Sequence, residues 1–152
     1  MAYAWIENNR IFVSKNKPPI ENVNILEVPD NTLSFYLTID NRILKFKTQN
    51  ELLSAIKIQK QEELLSLEKR RVNEILDKYK YLSLGDLQFY ANQNDTEAKA
   101  LLNWYLAYDN LIWSYIDNDL SAFTSVDELL AVDMKNIEEQ TFNQAVQTAP
   151  LP

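Results

Sequence analysis

The groups in this chain that could do chemistry are almost all carboxylates. There are 22 Asp and Glu against 15 Lys and Arg, with no histidine, no cysteine and a single glycine, Gly85. Imidazole is the commonest proton-transfer group near neutral pH and a frequent metal ligand. Without imidazole or thiol, Ser-His-Asp and Cys-His catalysis are excluded, as are His-ligated zinc or iron and thiolate metal sites. One glycine cannot build a GxGxxG or GxxxxGK[ST] phosphate loop. What remains is a glycosidase-like acid pair or an oxygen-ligated Mg²⁺ or Ca²⁺. With 22 acids in 152 residues, two will lie close by chance, so no pair stands out. The sequence therefore points to no catalytic, cofactor-binding or metal-ligating residue, and to a protein that is not an enzyme.

The net charge of −7 argues against nucleic acid and anionic membrane as partners, since phosphate is met by clustered Lys and Arg. No apolar run reaches the roughly 18 to 20 residues that span a bilayer. The opening "MAYAWIENNR" lacks a basic stretch followed by an apolar one and does not read as a secretory signal.

The elements that would position any site divide the chain in two. The fold class expected is α+β: a small N-terminal antiparallel β-sheet, then a long helix and a C-terminal helical module. In "AWIENNRIFV" (4–13), two apolar runs flank Asn8-Asn9, and Asn tolerates the positive φ of a type I′ turn. "FYLTIDNRILKF" (35–46) repeats the pattern around Asp40-Asn41. There Phe35, Leu37 and Ile39 alternate with Tyr36 and Thr38, and Leu44 and Phe46 with Lys45 and Lys47. Pro18-Pro19 and Pro29-Asp30-Asn31 bracket a short edge strand, Asn24 to Val28. Residues 2 to 47 thus read as a four- or five-stranded sheet, too small to bury a core without a cover from its own helices or another chain.

Residues 48–82 contain no Gly or Pro and are rich in helix formers, with Thr48 or Asn50 as cap. A helix over about 50–79 is roughly 45 Å long. Ile58, Leu65, Val72 and Tyr79 recur seven apart, as one position of a heptad seam should, and form the candidate association surface. The companion position (Ala55, Glu62, Lys69, Leu76) is charged in its middle. Two readings stay open: a helix packed at both ends with a solvated middle, or an imperfect oligomeric coiled coil. The pairs Glu63/Lys69 and Glu68/Arg71 read as solvated face charges. Gly85 breaks the pattern. The domain boundaries expected are a β module at 1–48, the long helix at 49–82, a helical module at 83–146 and a flexible tail at 147–152.

"NWYLAYDNLIWSYI" (103–116) lies on the next helix, capped by Asn94 or Asp95. With Trp104 at 0° and 100° per residue, Leu101, Tyr105, Tyr108, Leu111, Ile112 and Tyr115 fall between about −20° and +100°. Leu102, Leu106, Trp113, Ile116 and Leu120 extend the apolar arc to about 200°. So wide an arc reads as a central core helix carrying Trp104, Tyr108, Ile112 and Trp113, not as a ligand-stacking box or a membrane segment. Asp109, inside the arc at about 140°, needs a partner or an interface. Ser125 with Glu128 forms a capping-box pair for a further helix.

Several segments resemble small bacteriophage and prophage tail proteins of the tail-fibre assembly or tail-accessory group. "EKRRVNEIL" (68–76) is similar to their basic helix, Tyr90-Ala91-Asn92 to a small-residue turn, and Glu97-Ala98 to a helix start. "YDNLIW" (108–113) stands at their tryptophan motif, and "TSVDELL" (124–130) at a last helix. "YAWIENNRI" (3–11) resembles the first residues of many such proteins. The resemblance covers about residues 64–133 plus the first eleven. Tyr108, Asp109, Asn110 and Thr124 depart from the pattern, so charge contacts of the family's Arg and Asp are not carried over. It implies no catalytic residues. It implies a structural or chaperone role by protein–protein association, with a tail-fibre or baseplate polypeptide as partner; self-association of the chain is expected from the small sheet, the heptad seam and the wide apolar arc. The place of action is the host cytoplasm during assembly, or the virion tail. The alternatives are an acidic antitoxin or immunity-type binding protein and, from another class, a carboxylate hydrolase or metal-dependent enzyme.

Overall fold

The computed structural model describes residues 1–18, 25–30 and 32–152, in two compact units, Met1–Leu52 and Leu53–Pro152. The expected turn and strand positions at Pro19, Asn24 and Asn31 lie outside the described residues. The architecture is α+β, a small antiparallel β region followed by a long helix and further helices.

In the first unit β1 (Ala2–Glu7) lies between β2 (Arg10–Ser14) and β3 (Leu26–Val28), both antiparallel to it. After a 3₁₀ turn at Ser34–Tyr36, β4 (Leu37–Asp40) pairs with β5 (Ile43–Phe46) as a separate two-stranded sheet. The single sheet expected of residues 2–47 is thus two, of three strands and of two. Phe35 and Tyr36, expected in a strand, belong to the 3₁₀ turn. Their sheets cover each other: Ala2, Ala4 and Val28 join Leu37 and Leu44 in one buried cluster.

Both hairpins turn through two residues of positive φ, Asn8 and Asn9 in one, Asn41 and Arg42 in the other. This is the type I′ geometry that matches strand twist. The second turn sits one residue later than Asp40-Asn41. Asp40 instead pairs with Ile43 at the strand end, and its Oδ2 accepts from Lys45 Nζ at 2.9 Å. Either turn leaves Leu37 and Leu44 on one face; the later one sets Leu37 opposite Phe46 and Leu44 opposite Ile39.

The long helix α1 (Gln49–Lys78) starts with a reciprocal capping box. Glu51 N–H donates to Thr48 Oγ1, and Thr48 N–H to Glu51 Oε1, both at 3.2 Å. Lys80 in the left-handed region ends it, with Tyr81 N–H reaching back to the Leu76 carbonyl. Gly85 is therefore not the breaker. It lies in the first turn of α2 (Leu84–Asn92), whose cap is Ser83, and it has no positive φ. Asn94, also left-handed, ends that helix, and Asp95 caps α3 (Thr96–Ser114), accepting from Ala98 N–H at 2.8 Å. A π-helical turn (Tyr115–Leu120) follows. Then come α4 (Val126–Leu130), capped by Ser125 as expected, and α5 (Met134–Thr148), capped by Asp133. α5 runs two residues into the stretch expected as a loose tail, and the Pro152 carbonyl accepts from Tyr79 Oη at 2.6 Å.

α3 packs against α2 and α5. Polar clamps tie α1 to the later elements: Lys57 Nζ donates to the Ser121 carbonyl and Lys60 Nζ to that of Val132, each at 2.7 Å. From residue 56 the buried residues of α1, Ile75 aside, follow an i, i+4 row: Ile56, then Leu64, Glu68, Val72 and Leu76, with half-buried Lys60 between. Such a row drifts about 40° per step around the helix, as it does where neighbours cross obliquely.

Candidate functional site

Two buried glutamates define the chemistry of the second unit. Glu138 on α5 is 3% exposed and fully served. Arg71 of α1 grips it with Nε on Oε1 and Nη2 on Oε2, both at 2.9 Å, and Tyr108 Oη of α3 donates to Oε1 at 2.6 Å. Aromatic rings enclose the group. Trp104 stacks on Tyr108 with centroids 5.4 Å apart, Phe142 meets both edge-on, and the Arg71 guanidinium lies over Phe142 at 4.5 Å. Burial pushes the Glu138 carboxyl up, but the Arg71 and Tyr108 hydrogen bonds outweigh it and hold the carboxyl below its usual range. This cluster joins α1, α3 and α5, and its carboxylate, guanidinium and phenol are spent on one another, while the buried Trp104 Nε1 meets no acceptor among the described residues.

Glu68, 6% exposed on α1, has the opposite setting. Among the described residues no N–H or O–H group reaches its Oε2. Its close polar neighbour is another carboxyl, that of Asp109 on α3. Burial first, then the hydrogen bond and the negative charge of Asp109, push the Glu68 carboxyl up to about 8. The Glu68 carboxyl thus keeps its proton at neutral pH. Tyr105, also beside the pair, has its hydroxyl raised by burial and by both carboxylates. Glu68 and Asp109 line an open groove of about 360 Å³ between α1, α2 and α3. Its walls are largely aliphatic, with Leu65, Val72 and Leu76 from α1, Leu82 and Leu84 at the start of α2, and Tyr105 from α3. Leu82 is 93% exposed at the rim.

The candidate association surface is divided by the drift of the buried row. Leu65 and Val72 line the groove, Tyr79 is half-buried and donates to Pro152, and Ile58 stands 60% exposed. A straight seven-residue seam is therefore not one buried face of this helix. Of the expected core residues of α3, Trp104, Tyr108 and Ile112 are buried. Trp113 is corrected: it is 40% exposed, because nine residues after Trp104 it points about 180° away from the face that α5 covers. Glu68 and Arg71, expected as a solvated pair, are also corrected. They reach different partners, Asp109 and Glu138. Asp109, whose apolar surroundings demanded a partner, finds one that cannot neutralise it. Glu138 was not singled out. Its signal was a charge on the row Met134, Glu138, Thr141, Ala145, where an inward face is expected.

Among the described residues no group of three or more acids could hold a metal ion, and no helix is long and apolar enough to cross a membrane. No family model, curated protein or solved structure matches the chain.

Proposed function

We propose that this chain is a phage or prophage tail protein, a tail-fibre assembly chaperone or small virion component, that works by binding another polypeptide and not by catalysis. The observation that carries the reading is the order of elements under the resembling segments. Residues 68–76 lie within α1, 90–92 at the end of α2, and 97–98 at the start of α3. Residues 108–113 lie within α3, and 124–130 run into α4. A largely aliphatic groove beside exposed Leu82 and half-buried Leu65 gives such an association a surface. The partner is a tail-fibre or baseplate polypeptide, and the chain also self-associates.

Sedimentation of the protein alone, and of the protein co-expressed with the product of the adjacent fibre gene, tests this. We expect an oligomer or a stable complex, lost in Leu65→Glu, which places a charge in the groove, and retained in Glu63→Lys. A monomer in both experiments, indifferent to Leu65→Glu, overturns the reading in favour of an autonomous acidic binding domain of the antitoxin or immunity type.

A further inference from the structure

We infer that the groove between α1, α2 and α3 is a specific seat for a basic side chain, lysine or arginine, flanked by aliphatic residues in a segment of the partner polypeptide. The inference deepens the association reading above and rests on it.

The floor of the groove carries the argument. Glu68 is buried, its Oε2 meets no donor among the described residues, and its polar neighbour is Asp109, a second acceptor. A buried carboxylate without a donor costs free energy that a folded chain normally recovers with a cation or N–H groups. Glu138, on the same bundle, shows that recovery in full. At Glu68 nothing of the kind is supplied from within. Lys69 lines the same groove, yet among the described residues no ion pair joins it to either carboxyl.

The walls select the rest of the occupant. Leu65, Val72, Leu76 and Leu82 present methyl groups along the route to the acid pair, and Tyr105 adds a ring face. A long aliphatic stem with a charged head fits this arrangement, the stem on the leucines and the head between the carboxyls. A volume of about 360 Å³ lies within the roughly 300 to 1,000 Å³ of ligand clefts, so it takes a side chain with its neighbours. The net charge of −7 draws a basic segment toward the protein. At neutral pH Glu68 carries its proton, which the incoming cation displaces to solvent, so binding and proton release are linked.

The probe is the peptide acetyl-Leu-Lys-Leu-amide, titrated into the ¹⁵N-labelled full chain, with acetyl-Leu-Gln-Leu-amide as control. We expect saturable amide shifts at Leu65, Val72, Leu82 and Tyr105 with the lysine peptide and at least tenfold weaker binding of the glutamine one. Affinity should rise severalfold from pH 6 to pH 8.5 as the Glu68 proton is lost. Glu68→Gln should weaken the lysine peptide at least tenfold while the spectrum stays folded, and Asp109→Asn gives a second, independent removal of charge. Equal binding of the two peptides, shifts confined to other surfaces, or binding indifferent to both substitutions overturns the inference. If the lysine peptide fails while the fibre product still co-sediments, the groove assignment falls and the association reading stands. If the lysine peptide binds and no fibre complex forms, the seat stands and its partner is not the fibre.

Discussion

Glu68 and Glu138 are both buried glutamates in the same helical unit, yet they have opposite electrostatics. Glu138 receives a forked guanidinium and a phenol; Glu68 faces a carboxyl. Burial acts the same way on both, against the ionised form, so the sign of each shift is decided by the neighbours. Donors win at Glu138 and hold it ionised. Their absence at Glu68 leaves burial and a like charge in command. A carboxylate that completes its own hydrogen bonds holds elements together, whereas one that does not keeps the cost of its burial. The bundle therefore has one closed polar centre and one open one.

Removing the guanidinium breaks the closed centre most severely. Arg71→Ala leaves Glu138 buried and uncompensated, and a loss of about 3 to 5 kcal/mol is expected in urea melts at pH 7. A loss under about 1 kcal/mol would show that water replaces the guanidinium and that the centre is no more closed than the groove. Tyr108→Phe removes one hydrogen bond to a charged acceptor and leaves the ring stack in place. It should cost about 1.5 to 3 kcal/mol by the same melts.

The open centre responds with the opposite sign. Glu68→Gln should stabilise the protein at pH 8.5 by about 1 to 2 kcal/mol, a value reduced for the water that an open groove admits. At pH 5, where Glu68 is already protonated, the difference should vanish. The direction follows from proton uptake. A folded-state value raised to about 8 contributes stability that is complete below the unfolded glutamate range and is lost as pH climbs through about 8. Glu138, lowered in the folded state, contributes stability present above that range and lost as pH falls below it. Melting curves from pH 3 to pH 9 should therefore peak near pH 5, with the alkaline slope removed by Glu68→Gln and the acid slope reduced by Glu138→Gln. An alkaline slope unchanged in Glu68→Gln would remove the contrast between the two residues. Least of all, Lys69→Gln should shift stability by no more than about 0.5 kcal/mol, since this lysine lines the groove without pairing with the acids. A larger loss would mean that the groove already has its cation.

Much of the scaffold was legible in residues 1–152 taken alone. Asn8-Asn9, Thr48, Asp95 and Ser125 announced their turns and caps, because these are local backbone requirements met by side chains a few residues away, whereas the Glu51 half of the Thr48 box emerged only from the structure. The inward face of α3 at Trp104, Tyr108 and Ile112 was legible from periodicity for the same reason. Asp109 was legible as an anomaly, a charge inside an apolar arc, but its partner was not.

What the sequence by itself determined was the α+β order, the caps and the lack of imidazole and thiol chemistry. Those properties belong to single residues or to neighbours along the chain. Only the tertiary structure decided that Glu68 and Arg71, a turn apart, part company toward Asp109 and Glu138, that Trp113 faces outward, and that the two hairpins cover each other as separate sheets. Each depends on which surface another element lays against a given face, across 30 to 67 positions of chain in contacts such as Tyr108 to Glu138 and Arg71 to Glu138. A helix specifies its faces by its own repeat, but a heptad of Ile58, Leu65, Val72 and Tyr79 carries no information about the angle at which neighbours cross it. That angle is set by the packing of all the side chains together, and it turned the buried row of α1 away from Ile58 and brought Glu68 to Asp109.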